Sequence, residues 1–311
     1  MKQILYSVGI LVGLWLTVNL VHAVWVYTRR VLWERHIQRG PDGLLLDAAG
    51  YQIGEGTVAV LFIHGFADTP RVWWRFASRL AGKGAFTCRV MRLPGCAESL
   101  RQARKQSLVS WRTQVADEVI RLREHHDQVW VVGHSMGGAL ALDVAIRQQD
   151  IVDGVAVFAP LIDVSRARAP LLHPATWFRL AQLIFALSPT FESPFSVEAV
   201  AVDDPSFRYT RDRFIPFGVY RGLFALVRSN RRQATRLKQP LFAVTAMVDA
   251  VVDTPAALRW LTRCPVPKEI HDLAQVGHVI PLERGWQELA DQLATFIHAQ
   301  SGNTKPDAES L

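Results

Sequence analysis

The stretch VVGHSMGGAL, Val131 to Leu140, constrains this chain more than any other. An apolar β-branched run stops at a serine held between Gly133 and Gly137, and an alanine- and leucine-rich helical pattern starts at once. A side chain at the tip of so sharp a strand-to-helix turn occupies strained backbone space, and bulky residues two positions to either side would collide with it. Glycine at 133 and 137 removes that collision. The turn leaves the Ser135 hydroxyl exposed above the carboxyl end of a sheet, where open α/β folds place ligands. It also sets the backbone N–H of Met136 at a helix N-terminus, a position suited to an oxyanion.

The rest of the chain repeats this strand and helix rhythm. Apolar runs at 57–63, 87–93, 128–133, 154–159, 240–246 and 268–274 alternate with amphipathic helical patterns. Near-continuous apolar strands separated by such helices predict an α/β fold with a mostly parallel central sheet and helices on both faces. Residues 161 to about 238 break the rhythm, mixing aromatics, prolines and charges without clear strands, and are expected to form a cap or lid insertion, the alternative being an irregular connection. The expected organisation is an N-terminal anchor at 1–30, a linker at 31–55, the α/β domain at 56–300 and a frayed tail at 301–311.

The N-terminal segment Ile4 to Tyr27 carries no formal charge and is long enough as a helix to cross a hydrocarbon core of about 30 Å. Trp25 and Tyr27 beside Arg29 and Arg30 match an interfacial belt with a basic flank. The competing reading is a signal peptide cleaved after Val21-His22-Ala23; the long apolar run and the arginines that follow favour an uncleaved, single-pass anchor. Arg29, Arg30, Arg35 and Arg39 follow the segment and only Lys2 and the α-amine precede it, which places the bulk of the chain on the cytoplasmic side. The formal charge of +7 suits an anionic membrane surface. No basic cluster is interleaved with stacking aromatics, so nucleic acid is not an expected partner. Cys88, Cys96 and Cys264 are too few and scattered for a disulfide framework or zinc site. Oligomeric state is not legible.

A serine hydroxyl is a weak nucleophile until an imidazole takes its proton, and the imidazole needs a carboxylate to fix its tautomer. His278 lies past the last strand run and Asp249 past the one before, in the chain order serine, acid, histidine. Asp253 and Asp163 are alternative acids, although Asp253 precedes Thr-Pro and suits helix capping.

Together, LFIHGFADTPRVWW, RLPGCAES, GHSMGG and the Asp249 and His278 segments resemble the serine α/β-hydrolases of the monoacylglycerol lipase, carboxylesterase and lysophospholipase type, over roughly Gly54 to Ala299. The resemblance implies the α/β-hydrolase fold, a catalytic Ser135, Asp249 and His278, oxyanion donors at the Phe66 and Met136 amides, and no metal or organic cofactor. It gives His64 a loop-structuring role. Two positions depart from the family pattern: Cys96 stands where relatives often have histidine, and the acid segment has Ala246 for glycine and Asp253 for proline. The implied activity is hydrolysis of carboxylic esters through an acyl-serine. An anchor makes lipid-like esters, monoacylglycerols or lysophospholipids, the sensible substrates. Leu171, Leu172, Trp177, Phe178, Leu180, Leu183, Ile184 and Phe185 are candidates for an acyl pocket or lid, or for packing on the sheet. Two alternatives use the same machinery, an acyltransferase or a peptidase of the proline-iminopeptidase type; the peptidase would need Glu192, Glu198, Asp203 and Asp204 to bind an amine. A third alternative is an inactive binding protein on the same fold.

Overall fold

A computed structural model describes residues 1–301 apart from Arg168, Pro170 and Phe195. The tail expected to be frayed lies, from residue 302 on, outside the described residues. In chain order the elements are α1 (Lys2–Glu34), β1 (Tyr51–Ile53), β2 (Val58–Ile63), α2 (Trp74–Ala81), β3 (Phe86–Met91), α3 (Leu100–Ala103), α4 (Leu108–Arg123), β4 (Gln128–His134), α5 (Met136–Arg147) and β5 (Gly154–Phe158). There follow α6 (Pro174–Ile184), β6 (Thr190–Glu192), β7 (Glu198–Val200), β8 (Arg208–Thr210), β9 (Phe214–Pro216), α7 (Phe217–Asn230), β10 (Leu241–Ala246), α8 (Thr254–Thr262), β11 (Lys268–Leu273) and α9 (Trp286–Ser301).

Seven strands form the central sheet in the order β1-β3-β2-β4-β5-β10-β11. β1 pairs antiparallel with β3, and every other pairing is parallel. Both faces are covered, which is why the strands read as continuous apolar runs. In β2, Ala59, Leu61 and Ile63 face a core shared with Trp111 and Val115 of α4, Leu140 of α5, Leu226 of α7 and Leu261 of α8. Val58, Val60 and Phe62 face the opposite core, with Phe76 and Leu80 of α2 and Leu293 and Ile297 of α9. The order of strand addition reverses at β2, which lies between β3 and β4. The loops leaving β2 and β4 therefore part at their carboxyl ends and open a crevice.

Three sequence expectations need correction. The stretch 31–55 is not a free linker: α1 continues to Glu34, Leu45 and Ala48 are buried beside Ala97, and β1 adds an edge strand. Three residues are too few for strand periodicity to show. The region expected to lack strands contains two antiparallel pairs, β6 with β9 and β7 with β8, again of three residues each. Its last part, α7, is not cap at all, because Leu223, Leu226 and Val227 join the core beneath the sheet. The cap proper ends at about Pro216.

α1 is apolar and long enough to cross a membrane. Its two buried residues, Asn19 and Val26, lie where the cap meets it.

Candidate active site

The strand-to-helix turn forces Ser135 to φ 54° and ψ −118°, a conformation costly for any residue with a Cβ. The surroundings hold it there: Ser135 N–H donates to Phe158 O at 2.9 Å, and its carbonyl accepts from Leu161 N and Ala139 N at 3.0 Å each. A Cβ on Gly133 would fall on the Gly137 carbonyl, and one on Gly137 on the Ile63 carbonyl. The glycines thus admit backbone, not merely a tight bend.

Parallel pairing of β4, β5, β10 and β11 brings the other groups to the same end of the sheet. His278 Nε2 lies 3.0 Å from Ser135 Oγ, and His278 Nδ1 lies 2.7 Å from Asp249 Oδ2. Asp249 Oδ1 accepts from the amides of Val251 and Val252 at 2.7 and 2.9 Å. Burial raises the Asp249 carboxyl, but the hydrogen bond and charge of His278 and the two amides outweigh it, and the group lies below the ordinary carboxylate range. An ionised Asp249 fixes the tautomer with the proton on Nδ1, leaving Nε2 as acceptor toward the hydroxyl.

The alternative acids are engaged elsewhere. Asp253 Oδ1 caps α8 by accepting from Ala256 N at 2.8 Å. Asp163 is buried against His173 Nε2 and Arg231 Nη2, at 3.1 and 2.9 Å.

The loop after β2 lies against Ser135. A Cβ on Gly65 would stand 3.3 Å from Ser135 Cβ and 3.1 Å from His134 Nδ1. This brings the Phe66 segment beside the serine, and Met136 follows the serine as the first residue of α5. His64 is fully buried and spans the loop base: Nδ1 bonds Gly65 O at 2.9 Å, and Nε2 accepts from Leu93 N at 3.1 Å. Burial pushes its pKa down to about 4, so it is neutral, with no route to act as a base. Cys96 is buried outright, and burial raises its thiol well above the ordinary value.

Sequence reasoning missed two supports. His134 Nε2 donates to the backbone carbonyl of His278 at 2.9 Å and so braces the loop that carries it. Burial drives its pKa down to about 3, which keeps it neutral. The only signal was its place before the serine. The second support is the cap's return segment. Tyr209 OH donates to Asp68 Oδ1 at 2.9 Å, Arg211 Nη2 donates to Phe66 O at 3.3 Å, and Asp212 N donates to Ala67 O at 3.2 Å. These contacts join residues some 140 positions apart, and no local pattern encodes them.

A cavity of about 650 Å³ opens over Ser135 and His278, walled by Leu161, Trp177, Phe178, Tyr220, Leu223 and Phe224. Of the eight apolar candidates in the cap, Trp177 and Phe178 line it. Phe178 also packs its ring against Phe217, Tyr220 and Phe224 of α7. Phe185 packs against His22 and edge-on against Phe191, and Leu171, Leu172, Leu180, Leu183 and Ile184 are exposed on the outside. The acids required for amine recognition do not meet at the cavity. Glu192 binds Arg29 and Arg213, Asp203 binds Arg75, Glu198 faces Arg208, and Asp204 bonds Ser206.

A parallel sheet, a serine on a strained strand-to-helix turn, and an acid and histidine carried by the last two strands define an α/β hydrolase. The chain belongs to the alpha/beta hydrolase family, whose model matches residues 60–292. A thermostable monoacylglycerol lipase of Bacillus sp. (strain H-257) is 28% identical over 121 residues, 39% of this chain and 48% of that relative. The match thus spans about half the length of that protein. Among solved structures, one described for LipS and LipT, two metagenome-derived lipolytic enzymes, superposes with a TM-score of 0.70 at 19% identity, over 82% of this chain and 99% of the other. The monoacylglycerol lipase of Paleococcus ferrophilus gives 0.67 at 17% identity, over 82% and 100%.

Proposed function

We propose that the protein is a serine hydrolase that cleaves carboxylic esters of lipid-like molecules, monoacylglycerols or lysophospholipids, and is held at the membrane by α1. The observation that carries this reading is the relay Asp249–His278–Ser135 on the floor of an apolar cavity large enough for an acyl chain. Ser135 Oγ attacks the ester carbonyl while His278 Nε2 takes its proton. The carbonyl oxygen becomes an oxyanion facing the Phe66 and Met136 amides. The tetrahedral adduct collapses, His278 protonates the departing alcohol, and the acyl group remains on Ser135. Water, deprotonated by His278, then attacks the acyl-serine; the adduct collapses with cleavage of the bond to Ser135 Oγ, His278 returns the proton to that oxygen, and the carboxylic acid departs to leave the free enzyme. Ionised Asp249 stabilises the imidazolium at each stage. The similarity to a monoacylglycerol lipase supports the ester class. The cavity's apolar walls support an acyl chain over an amine-bearing peptide. The arginines that follow the apolar segment, Arg29, Arg30, Arg35 and Arg39, support a cytoplasmic position for the hydrolase domain.

Hydrolysis of p-nitrophenyl esters of increasing acyl length, and of a monoacylglycerol, by the full chain in detergent tests the proposal, with Ser135→Ala in parallel. Turnover abolished in the variant and rising with acyl length is the expected result. A folded protein inactive on every ester overturns it. A reporter fused after Leu311 that is active only outside the cytoplasm would refute the orientation.

A further inference from the structure

The contacts between α1 and the cap bear on where the cap sits. Trp15 Nε1 donates to Leu183 O at 3.1 Å, and Asn19 Nδ2 donates to Ile184 O at 2.8 Å. Asn19 Oδ1 accepts from Leu187 N at 3.0 Å, and His22 Nδ1 lies 2.9 Å from Ser188 Oγ. Further along, Arg29 forms a two-pronged pair with Glu192. At 1.5 Å per residue these contacts run about 21 Å up α1 from Arg29, leaving only about 20 Å of helix between Trp15 and Lys2. A hydrocarbon core is about 30 Å thick. With Lys2 and Arg29 at the two interfaces, Trp15 and Asn19 lie deep in the hydrocarbon, and the cap residues bound to them lie there too.

The chemistry of the contact fits that depth. The carbonyls of Leu183 and Ile184 end α6, where a helix leaves its last acceptors unsatisfied. In water they need no protein partner; in hydrocarbon they do. The anchor supplies those donors from Trp15 and Asn19, and Asn19, a polar group in mid-span, is only 2% exposed. The outer face of α6 is apolar, through Leu180, Leu183 and Ile184, and Leu187 just past its end continues the exposed apolar surface. Leu183 and Leu187 are 71% and 60% exposed, and Leu171 before the helix 96%. Arg179, the one charge on α6, has a stem long enough to carry its head toward the interface.

We infer that the cap is immersed in the leaflet beside α1, with lipid acyl chains covering the outer face of α6. The same helix presents Phe178 to the catalytic cavity, so an ester already in the leaflet reaches Ser135 along α6 without crossing water. The inference rests on the anchor reading proposed above.

The test uses the full chain in phosphatidylcholine vesicles containing lipids with quenchers on their acyl chains. An environment-sensitive dye is placed on Leu183→Cys in the cap, Leu11→Cys in the anchor, or Val109→Cys on the exposed side of α4; the three native cysteines are buried. Quenching at 183 and 11 but not at 109 is expected. Quenching at 11 with position 183 as unquenched as 109 overturns the immersion and leaves the anchor standing. No quenching at 11 removes the anchor reading and the inference with it. In a second measurement, the Leu183→Asp, Leu187→Asp double variant is expected to hydrolyse p-nitrophenyl butyrate in detergent like wild type but to lose about tenfold or more on monoacylglycerol in vesicles, because a charge in hydrocarbon costs several kcal/mol. Undiminished vesicle hydrolysis overturns entry from the leaflet.

Discussion

Replacing Asp249 by asparagine tests the relay most directly, because the surroundings decide which way the new amide faces. Oδ1 is held by two backbone amides, Val251 N at 2.7 Å and Val252 N at 2.9 Å, which only an oxygen can accept. The oxygen of the introduced side chain keeps those bonds, and its NH₂ takes the place of Oδ2, 2.7 Å from His278 Nδ1. Two donors cannot face each other, so the imidazole moves its proton to Nε2. That proton then points at Ser135 Oγ, 3.0 Å away, and the base is blocked. The variant also loses the negative charge opposite the imidazolium. Amidation of a triad acid costs about 10⁴-fold in kcat, or about 5 kcal/mol on the barrier. Steady-state hydrolysis of p-nitrophenyl butyrate at pH 7.5 measures it, and urea midpoints check that the fold survives, as the retained amide bonds require. Asp253→Asn and Asp163→Asn, whose carboxylates contact α8 and the pair His173 and Arg231, are expected to keep kcat within about threefold, since neither group touches the reacting atoms. A loss below tenfold in Asp249→Asn, or an equal loss in either control, refutes the assignment.

Other outcomes follow from packing and burial. Gly137→Ala drives a Cβ into the Ile63 carbonyl, so a loss of about 3 kcal/mol or more in unfolding free energy is expected by urea titration; a change under about 1 kcal/mol refutes the close approach. Asp253→Ala removes the α8 cap and is expected to cost about 1 kcal/mol in the same assay with kcat unchanged. Asp212 is partly buried, and that burial raises its carboxyl to about 7 despite the Ala97 amide. The folded state therefore binds the extra proton between about pH 4 and 7, so the protonated Asp212 stabilises fully below that window and the contribution is lost as pH rises through it. Asp212→Asn keeps an acceptor for Ala97 N. Its stability relative to wild type is expected to increase from pH 4.5 to 7.5, and a difference independent of pH refutes the raised carboxyl.

Five of the six long strands were legible to within a residue or two because they are buried on both faces and read as apolar runs; the edge strand β11, KEIHDL, is only partly buried and was legible from its place in the strand and helix alternation. The short strands β1 and β6 to β9 were not, since three residues do not establish a period. α7 was lost among aromatics and charges, although its buried face belongs to the main core. The candidate site divides along the same line. Ser135, Met136, His278 and Asp249 sit at strand ends or a helix start that local patterns mark, and Phe66 entered through the family resemblance of its loop. His134, Arg211 and Asp212 act through backbone atoms of distant loops, and nothing next to them in the chain records it.

The one-dimensional pattern alone determined the layered α/β class, the strained serine turn and the apolar N-terminal helix, because each depends on steric and hydrophobic constraints among near neighbours. Tertiary structure decided which of three aspartates reaches His278. It also decided that α7 belongs to the core, that Trp177 and Phe178 line the cavity while Leu183 faces outward, and that Asn19 of α1 is satisfied by the cap. Those outcomes depend on which distant groups compete for the same space and the same hydrogen bonds, and that competition exists only once the chain has folded.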